Sequence, residues 1–511
     1  MATTLTYVQH LGTLINQTVT LHGWVVSKRS SGKIAFIEFR DGSGFLQCIV
    51  DLQRAGETNL ELAEKLTMES AVIITGQIVA NERQENGLEM LVDDMQLVHL
   101  ADEYPIARKE HGVDFLINNR HLWLRTKRQW AVLRVRNQVK MSIMQFFYDR
   151  GFIQADAPLL TGNACEGTTN LFETDYYEKN KAYLSQSGQL YGEAIAMAHG
   201  KIYTFGPTFR AEKSATPRHL SEFWMIEPEM AFYDLEMDMN LIEEFVKHVV
   251  NDVAKKCAFE LQVLERDMKL FEHINQPFPR ITYMEAAQII KGQKTVNGKT
   301  SIAAFEEDLA RTHTEIATTK NELSEAEAKI ATPGIKKGEL NYFKNKIDKL
   351  KVRLKKLEED DAVNIPIWIE SAKSFPVGDD FGSAHERAIT RLFNCPVFVY
   401  KWPAEIKAFY MKRFEDDPDY VKGVDLLAPD GFGEIVGGSE REYDHNTLLA
   451  GIKKHNLPEE AFTWYLDLRK FGSVPHAGFG LGFERMVMWL TGVPHIRETI
   501  PFPRYYGRLF P

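Results

Sequence analysis

Five short runs crowded into the first hundred residues constrain this chain more than any other feature. "TVTLHGWVVSK" (18–28), "IAFIEF" (34–39), "FLQCIV" (45–50), "AVIITGQIV" (71–79) and "EMLVDDMQLV" (89–98) are all rich in β-branched residues. Runs of this length and composition form strands. Between the second and third, "RDGSG" (40–44) has the composition of a hairpin turn. One helical pattern, "NLELAEKL" (59–66), falls between the third and fourth. Five strands with a helix in that place predict an OB-fold barrel, though the pattern alone leaves another small β-barrel open.

The remaining length has to be organised differently. A chain of 511 residues has room for about two to four domains. The expected layout is a barrel over 1–104, a polar connector over 105–130 and a second domain over 131–511, with an insertion at 293–362. No apolar run approaches the ~20 residues that span a bilayer, so no membrane segment is expected. The opening "MATTLTYVQH" carries neither the basic start nor the apolar stretch of a secretory signal. Cys48, Cys165, Cys257 and Cys395 lie far apart, with no C-x-x-C pair. That argues against a zinc site or a disulfide framework and fits the reducing cytosol, so a cytoplasmic location is expected. The net charge of −10 counts against indiscriminate nucleic-acid binding, yet it leaves room for a local basic groove.

The second domain begins with "WAVLRVRNQVKMSIMQFFYDRGF" (130–152), an amphipathic helix ending at Gly151. Strand-like runs such as "IYTFGPTFRAE" (202–212) and "EFWMIEPEMAF" (222–232) follow, separated by unequal loops. Without regular helical crossovers, the expectation is an antiparallel α+β domain and not a doubly wound sheet. The insertion stands apart. Ile302, Phe305, Leu309, Ile316, Leu323 and Ile330 fall on a heptad frame, with Thr312, Thr319 and Ala326 in its weaker slots. Leu340, Phe343, Ile347, Leu350, Leu354 and Leu357 alternate three and four apart, and "ATPGIKKG" (331–338) separates the two series. This predicts an antiparallel helical hairpin with coiled-coil packing. Its second arm is thick with lysine, which reads either as a solvated face or as an RNA contact.

Three stretches carry chemistry. In "FRAEKSATPRHLSEF" (209–223), Arg210 and Glu212 would share one face of a strand, and Arg218 and His219 would sit at a hairpin tip. Such a hairpin can hold a polyphosphate, because guanidinium is planar, permanently charged and bidentate. The alternative is a surface hairpin with ordinary ion pairs. In "GFGLGFERMVMWLTG" (478–492), three alternating glycines let backbone pass close to a ligand and leave Arg485 in a first helical turn, where anions bind. A packing turn with a salt-bridged arginine reads equally well. In "VDLLAPDGFGEIVGGSERE" (424–442), Asp425 and Glu434 offer two carboxylates beside those arginines, and Arg441 follows. Two such acids suit magnesium, a hard cation that accepts shared phosphate ligands.

Together these blocks resemble the class II aminoacyl-tRNA synthetases over nearly the whole chain. "FFYDRGFIQADAPLLT" (146–161) is similar to motif 1 of that family, residues 209–223 to motif 2 and 478–492 to motif 3. An appended N-terminal OB-fold barrel is the layout of the aspartate, asparagine and lysine subgroup. The resemblance implies an ATP-binding antiparallel sheet and a homodimer formed through motif 1 around Pro158. It implies Arg210 on the α-phosphate, Arg218, His219 and Arg485 on the outer phosphates of a bent ATP, and Phe223 against adenine. Glu212 would sit near adenine or the incoming RNA end, and Asp425 and Glu434 would take Mg2+. The family's reaction needs no protein nucleophile: Arg210, Glu212 and Arg485 act by position and charge. In the same subgroup Glu166 would bind the substrate ammonium, with Ser187 and Gln189 nearby. On the barrel, Phe36 would stack on an anticodon base, with Arg29 and Gln47 adding polar contacts.

"SQSGQLYGE" (185–193) bears on the amino acid. Aspartate-charging members of the subgroup resemble "QSPQLYKQ" here, and their lysine, three residues after the glutamine, pairs with the substrate carboxylate. This chain has Gly192 at that place. A buried carboxylate without its partner would cost about 3–5 kcal/mol, whereas a carboxamide carries no such penalty. Glu193 would accept from the amide and Arg441 donate to it. "KAFYM" (407–411), "GGSERE" (437–442) and "HIRETIPFPR" (495–504) also resemble the asparagine-charging members. The implied substrates are therefore L-asparagine, ATP and tRNA(Asn). The rivals are an aspartate-charging enzyme, including one that charges two tRNAs, and a non-catalytic RNA-binding relative. The chain departs from the family in its 293–362 insertion and in the spacing of Asp425 from Glu434, one residue longer than expected.

Overall fold

The computed structural model describes residues 5–106, 111–162, 171–178, 180–214 and 216–511. Contacts divide the chain into two units, Met1–Gly112 and Val113–Pro511.

The first unit is a closed barrel in the order β1-β2-β3-β5-β4: β1 (Thr18–Ser31), β2 (Ile34–Arg40), β3 (Phe45–Asp51), β4 (Ala71–Ala80) and β5 (Leu88–His99). Strict alternation sends Ala35, Ile37 and Phe39 from β2, and Leu46, Cys48 and Val50 from β3, into its core. The turn between them is held by Asp41, whose carboxylate accepts from the Ser43 and Gly44 amides at 2.8 and 3.1 Å. This is how a short acidic side chain substitutes for a backbone turn. The helix α1 (Leu52–Lys65) starts seven residues before the pattern at 59, capped by Asp51, with a break at Gly56. That glycine's φ of 81° hides the first turn from a periodicity reading.

The second unit is built on a mixed sheet. In chain order its described elements include α2 (Lys127–Asp149), β6 (Ile153–Ala155), α3 (Gln189–His199), β7 (Lys201–Phe209), β8 (Glu222–Ala231) and α4 (Leu235–Lys256). They continue with β9 (Arg280–Thr282), α5 (Ser301–Ile330), α6 (Lys337–Glu359), α7 (Ser383–Thr390), β10 (Val397–Pro403), β11 (Tyr420–Ala428), β12 (Gly433–Glu440), β13 (His476–Gly482) and α8 (Phe483–Thr491). The sheet order is β9-β10-β11-β12-β13-β8-β7-β6. Its six central strands are antiparallel, as expected, but β6 joins β7 and β9 joins β10 in parallel. Parallel neighbours need a long crossover. Helix α3 lies between β6 and β7, and the whole helical insertion lies between β9 and β10.

Helices α2 and α4 cover one face of this sheet. Phe147 of α2 stacks on Tyr203 at 4.7 Å, and Phe146 meets Phe245 of α4 at 5.2 Å. Ile226, Met230, Leu426, Val436, Phe479 and Leu481 point into the same core, so the alternate side chains of their strands face the other way. Part of the stretch read as a connector belongs to this unit: Val113–Asn118 and Arg120–Trp123 are helical, and Arg120 is fully buried. Its guanidinium donates to Gln129 and to the carbonyls of Ile500 and Pro501, each at 2.8 Å.

The insertion is a hairpin of α5 against α6. Beyond its root, where Ser301, Ala304 and Asp308 are also covered, the buried residues of α5 recur every seven positions from Phe305: Thr312, Thr319 and Ala326. Three of these are the small slots of the heptad frame, so the facing helices approach closely. Its root is pinned by Asp308, which takes a two-pronged contact from Arg391 at 2.8 Å on each oxygen.

One position in the barrel tests how tightly it closes. A Cβ on Gly76 would stand 2.4 Å from the Leu91 carbonyl oxygen and 2.9 Å from the Val92 Cα, both backbone atoms. Gly76→Val is expected to destabilise the barrel by about 3 kcal/mol, the upper range for overpacking. Amide hydrogen exchange in β4 and β5 measures it, and unchanged protection would contradict the packing.

Candidate active site

A strand bearing side chains lies beside a strand that bears none. On β8, Phe223, Met225, Glu227 and Glu229 face away from the core, and all four line a cavity. On β13 the matching positions are Gly478, Gly480 and Gly482, with Met225 opposite Gly482 and Glu229 opposite Gly478. A Cβ on Gly480 would meet the Met225 methyl at 2.7 Å, and one on Gly478 would meet the Glu229 carboxyl carbon at 2.4 Å. The glycines make the space that the neighbouring strand's side chains occupy and rim.

Two cavities open on this face, and Arg210, Met225, Glu434 and Gly480 line both. The first gathers Arg210, Glu212, Arg218, His219, Phe223, Glu434 and Arg485. Six of these come from the motif stretches at 209–223 and 478–492, so the structure brings the two arginine blocks together. β7 ends at Phe209, so Arg210 and Glu212 stand on its outgoing loop and not on the strand itself. One further rung, Arg210 N to Ser221 O at 3.0 Å, keeps Arg210 in the hairpin. Its guanidinium lies 5.3 Å from the Phe223 ring centre. Arg218 donates to Glu386 of α7 at 3.1 Å and to the Gly431 carbonyl. Burial, then Arg485, pushes His219 below its ordinary value. Arg485 sits in the first turn of α8 and donates to the Glu434 backbone oxygen at 2.8 Å and carboxylate at 3.3 Å.

Asp425 and Glu434 converge despite their longer spacing. A register shift between Leu426 and Leu427 absorbs the extra residue, and both carboxylates come over Gly437, 3.4 and 3.0 Å from where its Cβ would stand. Burial pushes Asp425 up to about 7, with Lys407 opposing and Glu434 adding to the rise. Burial would raise Glu434 too, but Arg485, Lys407 and Arg210 outweigh it and hold it down. Among the described residues no group of three metal-binding side chains occurs, so these two acids would need oxygens from a ligand to complete a cation site. Lys407, 2.9 Å from Asp425, supplies the positive charge here.

The second cavity holds Ser187, Gln189, Glu227, Glu229, Lys407, Asp425 and Arg441. Arg441 forks onto Glu229 at 2.6 and 3.3 Å and reaches Ser439 at 2.7 Å. Burial would lower Arg441, but Glu229 outweighs it and keeps the guanidinium charged. Glu227 accepts from Ser187, from the Gly188 amide at 2.8 Å and from Thr204 at 3.1 Å. Glu166 lies outside the described residues.

Glu193 is a correction. It does not reach the cavity: it is fully buried, and its carboxylate is occupied by Gln189, Tyr465, Arg469 and His476 at 2.7–3.1 Å. It sits one residue from Gly192 on α3, so it leaves the helix in another direction. Gly192 itself has a packing reason. A Cβ there would stand 3.3 Å from the Glu229 side chain and 3.4 Å from that of Ile202, so α3 seats closely against β8 at that bare position.

Glu227, Glu229, Lys407 and Glu386 were not singled out from sequence. Period-two alternation through "EFWMIEPEM" places both glutamates on the face of Phe223, which was a legible signal. Nothing local marks Glu386, which arrives from a distant segment, and Lys407 opens the "KAFYM" stretch without anything there to show that its side chain enters the cavity.

In the barrel, Phe36 and Gln47 point outward, since their strand neighbours at 35, 37, 46 and 48 fill the core. Arg29 pairs with Phe36 across β1 and β2, and its guanidinium lies 4.7 Å from that ring. Gln47 lies opposite Glu38, one outward position further along β2.

Comparison with known proteins agrees with this geometry. Residues 112–506 match the family of tRNA synthetases class II (D, K and N), and residues 19–98 match the OB-fold nucleic acid binding domain. The chain is 43% identical over 504 residues to the asparagine--tRNA ligase of Pelotomaculum thermopropionicum, covering 99% of each. It is 44% identical to that of Symbiobacterium thermophilum, covering 97% of each. The structure is similar to that of asparaginyl-tRNA synthetase from Pyrococcus horikoshii complexed with asparaginyl-adenylate, at a TM-score of 0.79 and 34% identity over all of both chains.

The placement of Glu193 yields a stability prediction. Burial would raise its carboxyl, but Arg469, His476 and Arg441 outweigh it and hold it well below the usual range. A depressed carboxyl stabilises the fold fully above its unfolded value of about 4.3, and the contribution is lost as pH falls below it. Glu193→Gln leaves Arg469 buried without its partner and is expected to cost about 3–5 kcal/mol at neutral pH. Urea unfolding at pH 7 and pH 3 measures it. A loss no smaller at pH 3 would contradict the ion-pair assignment.

Proposed function

The chain belongs to the class II tRNA synthetases for aspartate, lysine and asparagine, and from that we infer that it joins L-asparagine to tRNA(Asn) as an asparagine--tRNA ligase. The observation that carries this reading is Arg210, which borders both cavities. A phosphate beside it meets a nucleotide from one side and an amino acid from the other.

ATP fits the first cavity with its α-phosphate at Arg210, adenine on Phe223 and its outer phosphates toward Arg218, His219 and Arg485. Arg218 then exchanges part of its bonding to Glu386 for phosphate. Asparagine fits the second cavity. Its carboxylate attacks the α-phosphorus in line, the bond to the β-phosphate oxygen breaks, and pyrophosphate leaves. Arg210 and Arg485 neutralise charge that grows on the phosphoryl oxygens, and the bound geometry supplies the rest of the rate. In the second step a terminal ribose hydroxyl of the tRNA attacks the acyl carbon, and AMP departs. Glu212, on the outgoing loop beside Arg210, lines the edge where that RNA end would enter. Asp425 and Glu434 fit Mg2+, because two carboxylates held over one glycine favour a cation between them and phosphate oxygens can complete its shell. Such an ion would supply further neutralisation of phosphate charge.

Selection of the carboxamide rests on Arg441 and Glu227 in place of Glu193. Arg441 donates to the amide oxygen and Glu227 accepts from its NH2, with Ser187 and Gln189 beside the substrate backbone. A carboxylate side chain would face Glu227 and Glu229 and find no lysine at position 192 to offset them. On the barrel, Phe36 stacks on an anticodon base, and Arg29 and Gln47 give polar contacts. The enzyme works as a homodimer through the segment around Pro158, supported by the exposed apolar side chains Ile153, Leu159 and Leu160. Its place is the cytosol, supported by its tRNA substrate and by three described cysteines, all buried and unpaired.

Exchange of labelled pyrophosphate into ATP tests the reading. It is expected with asparagine and not with aspartate, and aspartate-only exchange would overturn it. Arg210→Ala is expected to lower exchange by about 10²–10³-fold, as for loss of one charge-stabilising donor. A loss of less than tenfold would remove Arg210 from the reacting phosphate.

A further inference from the structure

The helical insertion carries a feature that the reaction does not use. On α6, Tyr342, Lys346, Lys349, Arg353 and Lys356 recur at steps of four, three, four and three residues. Residues so spaced form one stripe along a helix. The stripe runs beside the seam made by Phe343, Ile347, Leu350, Leu354 and Leu357, along one flank of the contact with α5. Tyr342 is 62% exposed, Lys349, Arg353 and Lys356 are exposed, and Lys346 is half-buried. It extends for about 21 Å, with a cation roughly every 5 Å.

Ion pairing between the arms takes one of its four cations, Arg353, and leaves the three lysines. The inter-arm pairs include Arg353 with Glu315, Lys351 with Glu327 and Lys320 with Glu358. Lys346, Lys349 and Lys356 have no carboxylate partner among the described residues. The chain as a whole carries −10, so this stripe is a local concentration of positive charge on an acidic protein. It is also rigidly mounted. Phe305 is fully buried near Trp368, Arg387 lies 4.2 Å over that indole, and Asp308 holds Arg391. Arg387 belongs to α7, whose Glu386 holds Arg218 in the phosphate cavity. The root of the arm and the rim of the nucleotide site are thus one packed block.

We propose that this stripe binds the phosphodiester backbone of the tRNA substrate, with Lys346, Lys349 and Lys356 each meeting a phosphate. The proposal rests on the function inferred above. A ladder of cations ending in an exposed aromatic matches a polyanion with stackable bases, and the reaction requires that polyanion to approach this unit.

The test uses the full-length enzyme. The variant Lys346→Ala/Lys349→Ala/Lys356→Ala is expected to raise the KM for tRNA about tenfold. It should also flatten the dependence of log affinity on log salt by about two to three units, near one per lost contact. The control Lys344→Ala/Lys355→Ala, on the opposite flank of α6, is expected to change KM by less than about twofold. Asparagine-dependent pyrophosphate exchange should be unchanged in both, which shows that each variant is folded. An unchanged KM and salt slope would overturn the proposal and leave a solvated face. Equal losses in both variants would also overturn it, since net charge would then be the cause. Binding of polyglutamate in place of tRNA would assign the stripe to an acidic protein and overturn it too. If the wild-type enzyme shows no exchange, the functional reading fails, while a direct titration of tRNA binding still reads the stripe.

Discussion

The pairing of β8 with β13 sets everything else at the active face. Side chains on one strand need the empty positions of the other, and a one-residue slip would bring Phe479 and Leu481 out of the core and onto the cavity. Glu484, two residues after that strand ends at Gly482, secures the register. Glu484 accepts from the Trp224 amide at 2.9 Å and pairs with Arg136 of α2 at 2.8 Å. It therefore ties β8, α2 and α8 together and fixes the direction of Arg485, its immediate neighbour. Arg485 is thus oriented by a buried carboxylate that itself borders the first cavity.

Charge around the second cavity is arranged in two layers. Arg441 and Glu229 form the inner pair, and behind them Glu193 with Arg469 and His476 is closed off from any ligand. Burying so many ions is costly unless each finds a partner, and removing one member leaves another exposed to low dielectric. The outer layer is left with Glu227, Lys407 and Asp425 on the cavity wall. Lys407 is already committed to Asp425, so it does not replace the cation missing at Gly192. A neutral side chain with both donor and acceptor groups suits this balance better than a second carboxylate.

Much of this was readable from residues, for identifiable reasons. The barrel strands, the heptads of the insertion and the arginine blocks are local patterns, and local patterns survive folding. The small heptad slots Thr312, Thr319 and Ala326, read as weak, are buried because a close helix pair selects size and not hydrophobicity. Glu193 failed because adjacency along a helix says nothing about direction: about 100° separates it from Gly192. Arg120, in a stretch read as connector, was missed because its partners lie some 380 residues away in the chain, at Ile500 and Pro501. Glu386 is invisible for the same reason, in a segment without any motif, and Lys407 lies in "KAFYM", a stretch whose resemblance does not say which side chain faces the cavity.

The buried sevenfold series Phe305, Thr312, Thr319 and Ala326 has an evolutionary corollary. Each helix of the arm can grow or shrink only by whole heptads if its faces are to keep their orientation; any other indel turns everything beyond it by roughly 100° per residue. Length variation among natural arms should therefore be quantised, and a departure from multiples of seven would mark a lineage in which the outer part of the arm has changed allegiance.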